Sequence, residues 1–321
     1  MYASLRRLGI TLAAVGALAF AVAGPANASP ATSNHFQTLN NNTDLTFNQL
    51  LGINNDGVIA GYFGSGAQGH PNKGYELWTP DTYRNENFPN STQTQVTGLN
   101  DDGVTVGFFS TMNTASMTNN NFGFYASNGS YHEVNFPTGD NASPQVDQLL
   151  GVNDHGIAVG FYTNGQGSSR GYEYNIKTHQ FTRVLPPGFT SSSSLQSPSL
   201  TAAAINGHGD VAGFYNKTSA QVDAFLRLHN GQFITLAVPG ASMTQAFGVN
   251  DSDEVVGAYT VGTGNSAQTH GFTWHPGSGF TTVDDPHGIG STLINGVNDH
   301  GDLVGFYTDS TGNTDGMLVQ P

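Results

Sequence analysis

The chain has 321 residues, with 9 Lys or Arg against 23 Asp or Glu, 42 Gly and no Cys. At 37% hydrophobic and 11% aromatic it can bury a core, which excludes a disordered or collagen-like polymer; its acidic balance disfavours nucleic acid and anionic membrane surfaces, whose binding rests on Lys and Arg. Charged residues make up only 10%, so Asn, Ser, Thr, Gly and Gln must cover the surface, a composition suited to many turns and to an all-β fold.

The first segment reads as a signal peptide over residues 1–28. It has Arg6 and Arg7, an apolar run from Leu8 to Val22, and the small-residue ending Ala26-Asn27-Ala28. The chain is therefore expected to be secreted, with residues 29–321 forming one domain. Cleavage removes two Arg and no acid, moving the formal charge from −14 to −16. Without Cys there is no disulfide framework, and stability must come from a large core.

Next comes His35-Phe36-Gln37-Thr38-Leu39, strand-like and without a partner nearby. From there the chain repeats. Gly52-Ile53-Asn54-Asn55-Asp56-Gly57 recurs at Gly98, Gly151, Ala204, Gly248 and Gly296, placing Asn54, Asn100, Asn153, Asn206, Asn250 and Asn298 in register. Seven residues beyond each Asn stands a Gly (61, 107, 160, 213, 257, 305), and two further an aromatic: Phe63, Phe109, Tyr162, Tyr215, Tyr259 and Tyr307. Asn-Asp-X-Gly predicts a hairpin turn with a capping Asn and a residue of positive φ; Asp253 stands where the other units have Gly. The Gly seven residues on suits close backbone approach, and the aromatic suits packing between sheets.

Each unit parses into four strands. The first runs into the motif Asn, and the second follows the turn (Val58 to Phe63, Val104 to Phe109). The third is like Gly74 to Trp78 or Gly271 to Trp274, and the fourth like Gln232 to Leu236. Four strands per 40–50 residues mark a propeller blade, so a six-bladed β-propeller with four-stranded antiparallel blades is expected. The last unit ends after its third strand, Gly316 to Val319. The N-terminal strand His35–Leu39 is expected to complete that blade and close the ring.

The repeated Ile-Asn-X-X-Gly-X-Val-Val-Gly pattern, followed by a small-plus-aromatic strand opening, resembles the extracellular repeats called the HAF family. Asp223-Ala224-Phe225 and His270-Gly271-Phe272 come closest to the name-giving tripeptide, each departing from it at one position. The resemblance covers nearly all of the mature chain. It implies a propeller-like secreted protein and transfers no reaction.

Function is expected on the face opposite the Asn turns, where inserts lie near 64–73, 110–121, 138–147, 163–170, 188–199, 260–270 and 284–292. Five residues before each motif Asn stand Gln49, Gln95, Gln148, Thr201, Gln245 and Leu293. The four Gln and the Thr could ring the channel mouth with neutral donors and acceptors for a sugar or peptide. Beside them are Asp147 and the cluster Asp284-Asp285-Pro286-His287, two of whose carboxylates and an imidazole could act as acid and base or take Ca²⁺. No cofactor is otherwise expected. Gly167-Ser168-Ser169-Arg170-Gly171 matches a nucleophile elbow in letters but precedes a strand where that device needs a helix. These features point to a monomeric, secreted binding or surface-interaction module for a glycan or other extracellular polymer. The alternative is a propeller hydrolase or lyase acting on a saccharide or lactone.

Overall fold

The computed structural model describes residues 34–321 apart from 79–80, 114–117, 139–144, 187, 190–197 and 219. The expected signal peptide lies outside these residues. The chain forms β1 (His35–Thr38), then five stretches of four strands and a sixth of three. The first is β2–β5 (Asn48–Ile53, Val58–Phe63, Lys73–Trp78, Thr82–Asn85), and the second is β6–β9 (Gln93–Leu99, Thr105–Asn113, Thr118–Ser127, Ser130–Val134). The third is β10–β13 (Asp147–Val152, Ile157–Thr163, Ser169–Asn175, Gln180–Arg183), and the fourth is β14–β17 (Leu200–Ile205, Val211–Thr218, Gln221–Arg227, Phe233–Leu236). The fifth is β18–β21 (Met243–Val249, Val255–Val261, Gln268–His275, Gly279–Val283); the sixth supplies β22–β24 (Thr292–Val297, Leu303–Thr308, Thr314–Gln320).

The fold is an all-β propeller. The first strands β2, β6, β10, β14, β18 and β22 touch in succession, and β22 touches β2. The expected count of six separate blades is corrected by the sheet pairing. Four free-standing four-stranded sheets accompany one eight-stranded sheet that holds β14–β21. Its two halves meet in one parallel pair, Val222 with Met243, where Val222 N–H donates to Ser242 O. The same one-residue parallel contact recurs as an isolated bridge at Phe47–Thr314, Asn121–Val146 and Thr269–Ser291, where Phe47, Val146 and Ser291 lie one residue before β2, β10 and β22 respectively; the fusion arises because β18 begins at the contact residue itself, Met243. The expected insert at 110–121 also differs: its described residues extend β7 and β8, with Ser110 opposite Asn121 and Asn113 opposite Thr118.

β1 is the fourth strand of the last sheet, in the order β1-β24-β23-β22, with His35 opposite Gln320 and Thr38 opposite Met317. Just beyond it, Leu39 is buried in one cluster with Leu50, Leu77, Val304 and Leu318. The core consists of such clusters between neighbouring sheets, each drawing from two units.

The motif Asn does more than cap its own turn. In all six units its Oδ1 accepts the N–H of the residue four positions on, as from Ile157 to Asn153 at 3.0 Å. Its Nδ2 reaches across to the backbone carbonyl of the next motif Asn: Asn54 to Asn100, Asn100 to Asn153, Asn153 to Asn206, Asn206 to Asn250, Asn250 to Asn298, and Asn298 back to Asn54. These six contacts span 2.9–3.2 Å and close a circle. Asp253 has φ +57°, the conformation that the other units give to Gly. At Gly160, a Cβ would lie 2.0 Å from the Gln148 carbonyl, so that position excludes any side chain.

Asn153→Ala should remove one donor and one acceptor from a site 5% exposed, leaving the Ile157 N–H without its side-chain acceptor and the Asn206 carbonyl with the Gly209 N–H alone. The expected cost is about 2–3 kcal/mol, read as a lowered urea midpoint. Asn153→Asp keeps the acceptor but cannot donate to the Asn206 carbonyl, so it is expected to rescue little.

Candidate functional site

The loop-bearing face is the one opposite the Asn turns. Gln49, Gln95, Gln148 and Gln245 occupy one register position near the start of four first strands and are half-buried there. Two have partners: Tyr62 Oη–H donates to Gln49 Oε1 at 2.8 Å, and Gln95 Nε2 donates to Asn72 Oδ1 at 3.0 Å. Thr201, at the matching position, is 1% exposed, so it offers no reachable hydroxyl at the mouth.

Asp147 is 1% exposed, which removes it from contact with a polymer. Its Oδ2 accepts the Phe136 N–H at 2.6 Å, and its Oδ1 accepts the Tyr172 hydroxyl. Corresponding residues do the same work elsewhere. Asn48 accepts the Asn41 N–H, Thr94 that of Phe88, Thr244 that of Val238 and Thr292 that of Asp285. All tie the incoming loop to the first strand. Only unit three uses a carboxyl, and burial pushes its pKa up to about 7 against the hydrogen bonds from Tyr172 and Phe136, which pull the other way.

Asp284, Asp285 and His287 lie on the connection between β21 and β22, but their side chains diverge. Asp284 Oδ2 pairs with His270 Nδ1 at 2.7 Å, while its Oδ1 accepts the Gly271 N–H at 3.2 Å. Asp285, 4% exposed, accepts the His287 N–H at 2.8 Å and lies 3.1 Å from His287 Nδ1, leaving most of that imidazole in solvent. Among the described residues no group of three or more His, Asp or Glu is arranged to hold a metal ion.

His270 is the residue that sequence reasoning missed as a site member, although it was visible in His270-Gly271-Phe272. It opens the buried part of β20 and stacks on Tyr259 at 5.2 Å between ring centroids. Tyr259 Oη shares a hydrogen bond with Thr282 Oγ1 at 2.8 Å, which fixes the ring beneath the imidazole. The two loops are held side by side because Thr269 N–H donates to Gly290 O. His287 in turn lies 6.4 Å from Tyr307. A third pair of the same kind, Asp44 with His70 at 2.7 Å, stands on the loops of unit one. This rim offers imidazoles held by carboxylates, aromatic rings and little net positive charge, a surface able to exchange hydrogen bonds with hydroxyl groups and stack on an apolar ring face.

No protein-family model matches the chain, nor does any curated protein. Solved structures do. AofleA from Arthrobotrys oligospora is similar at 10% identity and TM-score 0.54, over 89% of this chain and 86% of that one. Aleuria aurantia lectin, solved with Fucα1-6GlcNAc, is similar at 12% identity and TM-score 0.50, over 85% and 91%. A catalytically inactive virginiamycin B lyase from Staphylococcus aureus shares 12% identity at TM-score 0.48, over 90% of this chain and 100% of that one. At such identities the likeness to AofleA and to the Aleuria lectin speaks for architecture alone, and it agrees with the strand ring: the chain has the β-propeller fold.

Proposed function

We propose that this protein is a secreted, six-bladed propeller, its eight-stranded sheet serving as two blades, that binds an extracellular glycan through its loop-face rim. The observation that carries the reading is the His270–Asp284 pair stacked on Tyr259, with Asp285–His287 on the same connection. The carboxylates hold the imidazoles in place while His287 stays exposed, and the Gln positions supply neutral donors and acceptors nearby. The likeness to a lectin solved with Fucα1-6GlcNAc supports a sugar as ligand. Binding is favoured over cleavage because the most perturbed carboxyl, Asp147, is walled off by Tyr172 and the Phe136 backbone.

The test is co-sedimentation with insoluble polysaccharides, paired with an assay for released reducing ends. Retention without release is expected, with His270→Ala and Asp284→Ala each weakening retention about tenfold, roughly 1.4 kcal/mol. Release abolished by Asp284→Ala would favour the hydrolase or lyase instead. No retention on any polysaccharide would overturn the glycan reading.

A further inference from the structure

A concavity lies on the opposite face, where β1 meets β24 in the closing sheet. Its volume is 280 Å³, and its walls include Gln37, Leu39, Ile53, Asp302, Leu318 and Gln320. One water occupies about 30 Å³ of liquid, and small-molecule sites begin at about 300 Å³. The space therefore suits one small ligand.

The cross-strand pair at this seam differs from its counterparts around the ring. Leu318 pairs across the strands with Gln37. The same register positions hold Tyr125 and His132 in unit two, and Leu226 and Ile234 in unit four. The rings of Tyr125 and His132 stack at 4.6 Å, and Tyr125 also meets Tyr174 of the following unit at 6.4 Å. Leu226 and Ile234 belong to an apolar cluster that continues into Ala246 and Val249 of unit five. Units one, three and five hold Glu76 with Arg84, Glu173 with Thr182 and Thr273 with Thr281, whereas the closing seam joins one apolar side chain, Leu318, to one amide, Gln37.

The chemistry of the walls selects the occupant. Leu39, Ile53 and Leu318, each 5–9% exposed, make an apolar floor. Gln37 and Gln320 place primary amides at the edge. Gln320 Nε2 donates to Asp302 Oδ1 at 3.1 Å, while Asp302 Oδ2 accepts from Asn298 Nδ2 at 3.0 Å, so the carboxylate is held in place by its neighbours. A fixed carboxylate without a cation among these walls repels anions. Apolar floor, amide edge and carboxylate acceptor match a molecule with one C–H face and a rim of hydroxyls.

We propose that this seam binds a single neutral pyranose, independently of the rim site. Because the walls come from both β1 and β24, the sugar also fastens the closing strand. A ligand that binds only the closed ring stabilises it by mass action.

The experiment titrates the protein with the methyl glycosides of glucose, galactose, mannose and fucose, using saturation-transfer NMR and calorimetry. At least one is expected to bind with a Kd of about 0.1–5 mM, as befits so small a ligand. Gln37→Ala should weaken it about tenfold and Leu318→Phe should abolish it, with melting temperatures recorded to verify folding. Binding should slow amide exchange over His35–Leu39. His270→Ala, which removes a rim contact, should leave seam affinity unchanged, so the two sites fail separately. Absence of any signal at about 50 mM, which bounds Kd above that range, would overturn the proposal. So would an affinity that follows His270→Ala and ignores Gln37→Ala, or unaltered exchange of the closing strand in the bound state.

Discussion

Deleting residues 29–42 is expected to abolish cooperative folding of the ring at moderate temperature. The deletion removes four ladder pairs between β1 and β24 and bares that edge to other chains. It takes Leu39 out of its cluster, worth about 2–3 kcal/mol for a buried leucine. It also breaks side-chain ties: Asn40 Nδ2 donates to Asp315 Oδ1 at 2.6 Å, Gly316 N–H donates to Asn40 Oδ1 at 2.9 Å, and Thr38 Oγ1 bonds Tyr307 Oη at 2.8 Å. At about 1 kcal/mol each, these losses together approach the 5–15 kcal/mol that stabilises a typical domain. Calorimetry should show no cooperative transition, or one lowered by more than about 10 °C. A peptide spanning residues 33–43 added in trans should restore part of it. An unchanged transition would refute the clasp.

Asp147→Asn is expected to stabilise the protein above pH 7 and to flatten its pH dependence. Burial holds the Asp147 carboxyl at about 7 instead of 3.8, so the folded protein keeps its proton where the unfolded chain releases it. Below about pH 4 both states are protonated and the residue carries no penalty. As pH rises from about 4 to about 7 the unfolded chain alone ionises, and stability falls. Above about 7 the whole penalty applies. At about 1.4 kcal/mol per pH unit between the two values, it reaches about 4 kcal/mol. Asparagine can accept the Phe136 N–H and donate to Tyr172 Oη. Asn48 already works this way in unit one, accepting from Asn41 N and donating to Asp44 O. Urea unfolding of both proteins at pH 4.5 and 8 isolates the effect, because the other buried carboxyls are common to the two. Equal slopes with pH would show that Asp147 does not carry this load.

The ring architecture was legible because its demands recur. Each motif Asn, each Gly seven residues on and each positive-φ position faces the same steric problem, so six copies reveal it; even Asp253 follows the rule. The joining of β1 to β24 was legible from the missing fourth strand. The merger of units four and five was not, since it turns on β18 beginning one residue earlier than β2, β10 and β22 do, at Met243, which no repeated position announces. The site was less readable because its residues do not repeat. Asp147 looked reactive as a lone acid, whereas the polar residues six positions before the motif Asn in most other units, Asn48, Thr94, Thr244 and Thr292, mark it as a loop tie. Asp284 and His270 are fourteen residues apart, and only the antiparallel pairing of β20 with β21 brings them together.

The circle of asparagine amides has one more consequence. Were the same units laid end to end as a solenoid, the final amide would find no carbonyl and the first carbonyl no amide, so such arrays need special terminal repeats to shield their ends. Here Asn298 donates to Asn54, and supply equals demand. Every unit can therefore carry the same motif, and closure itself replaces the caps that a linear array would have to encode.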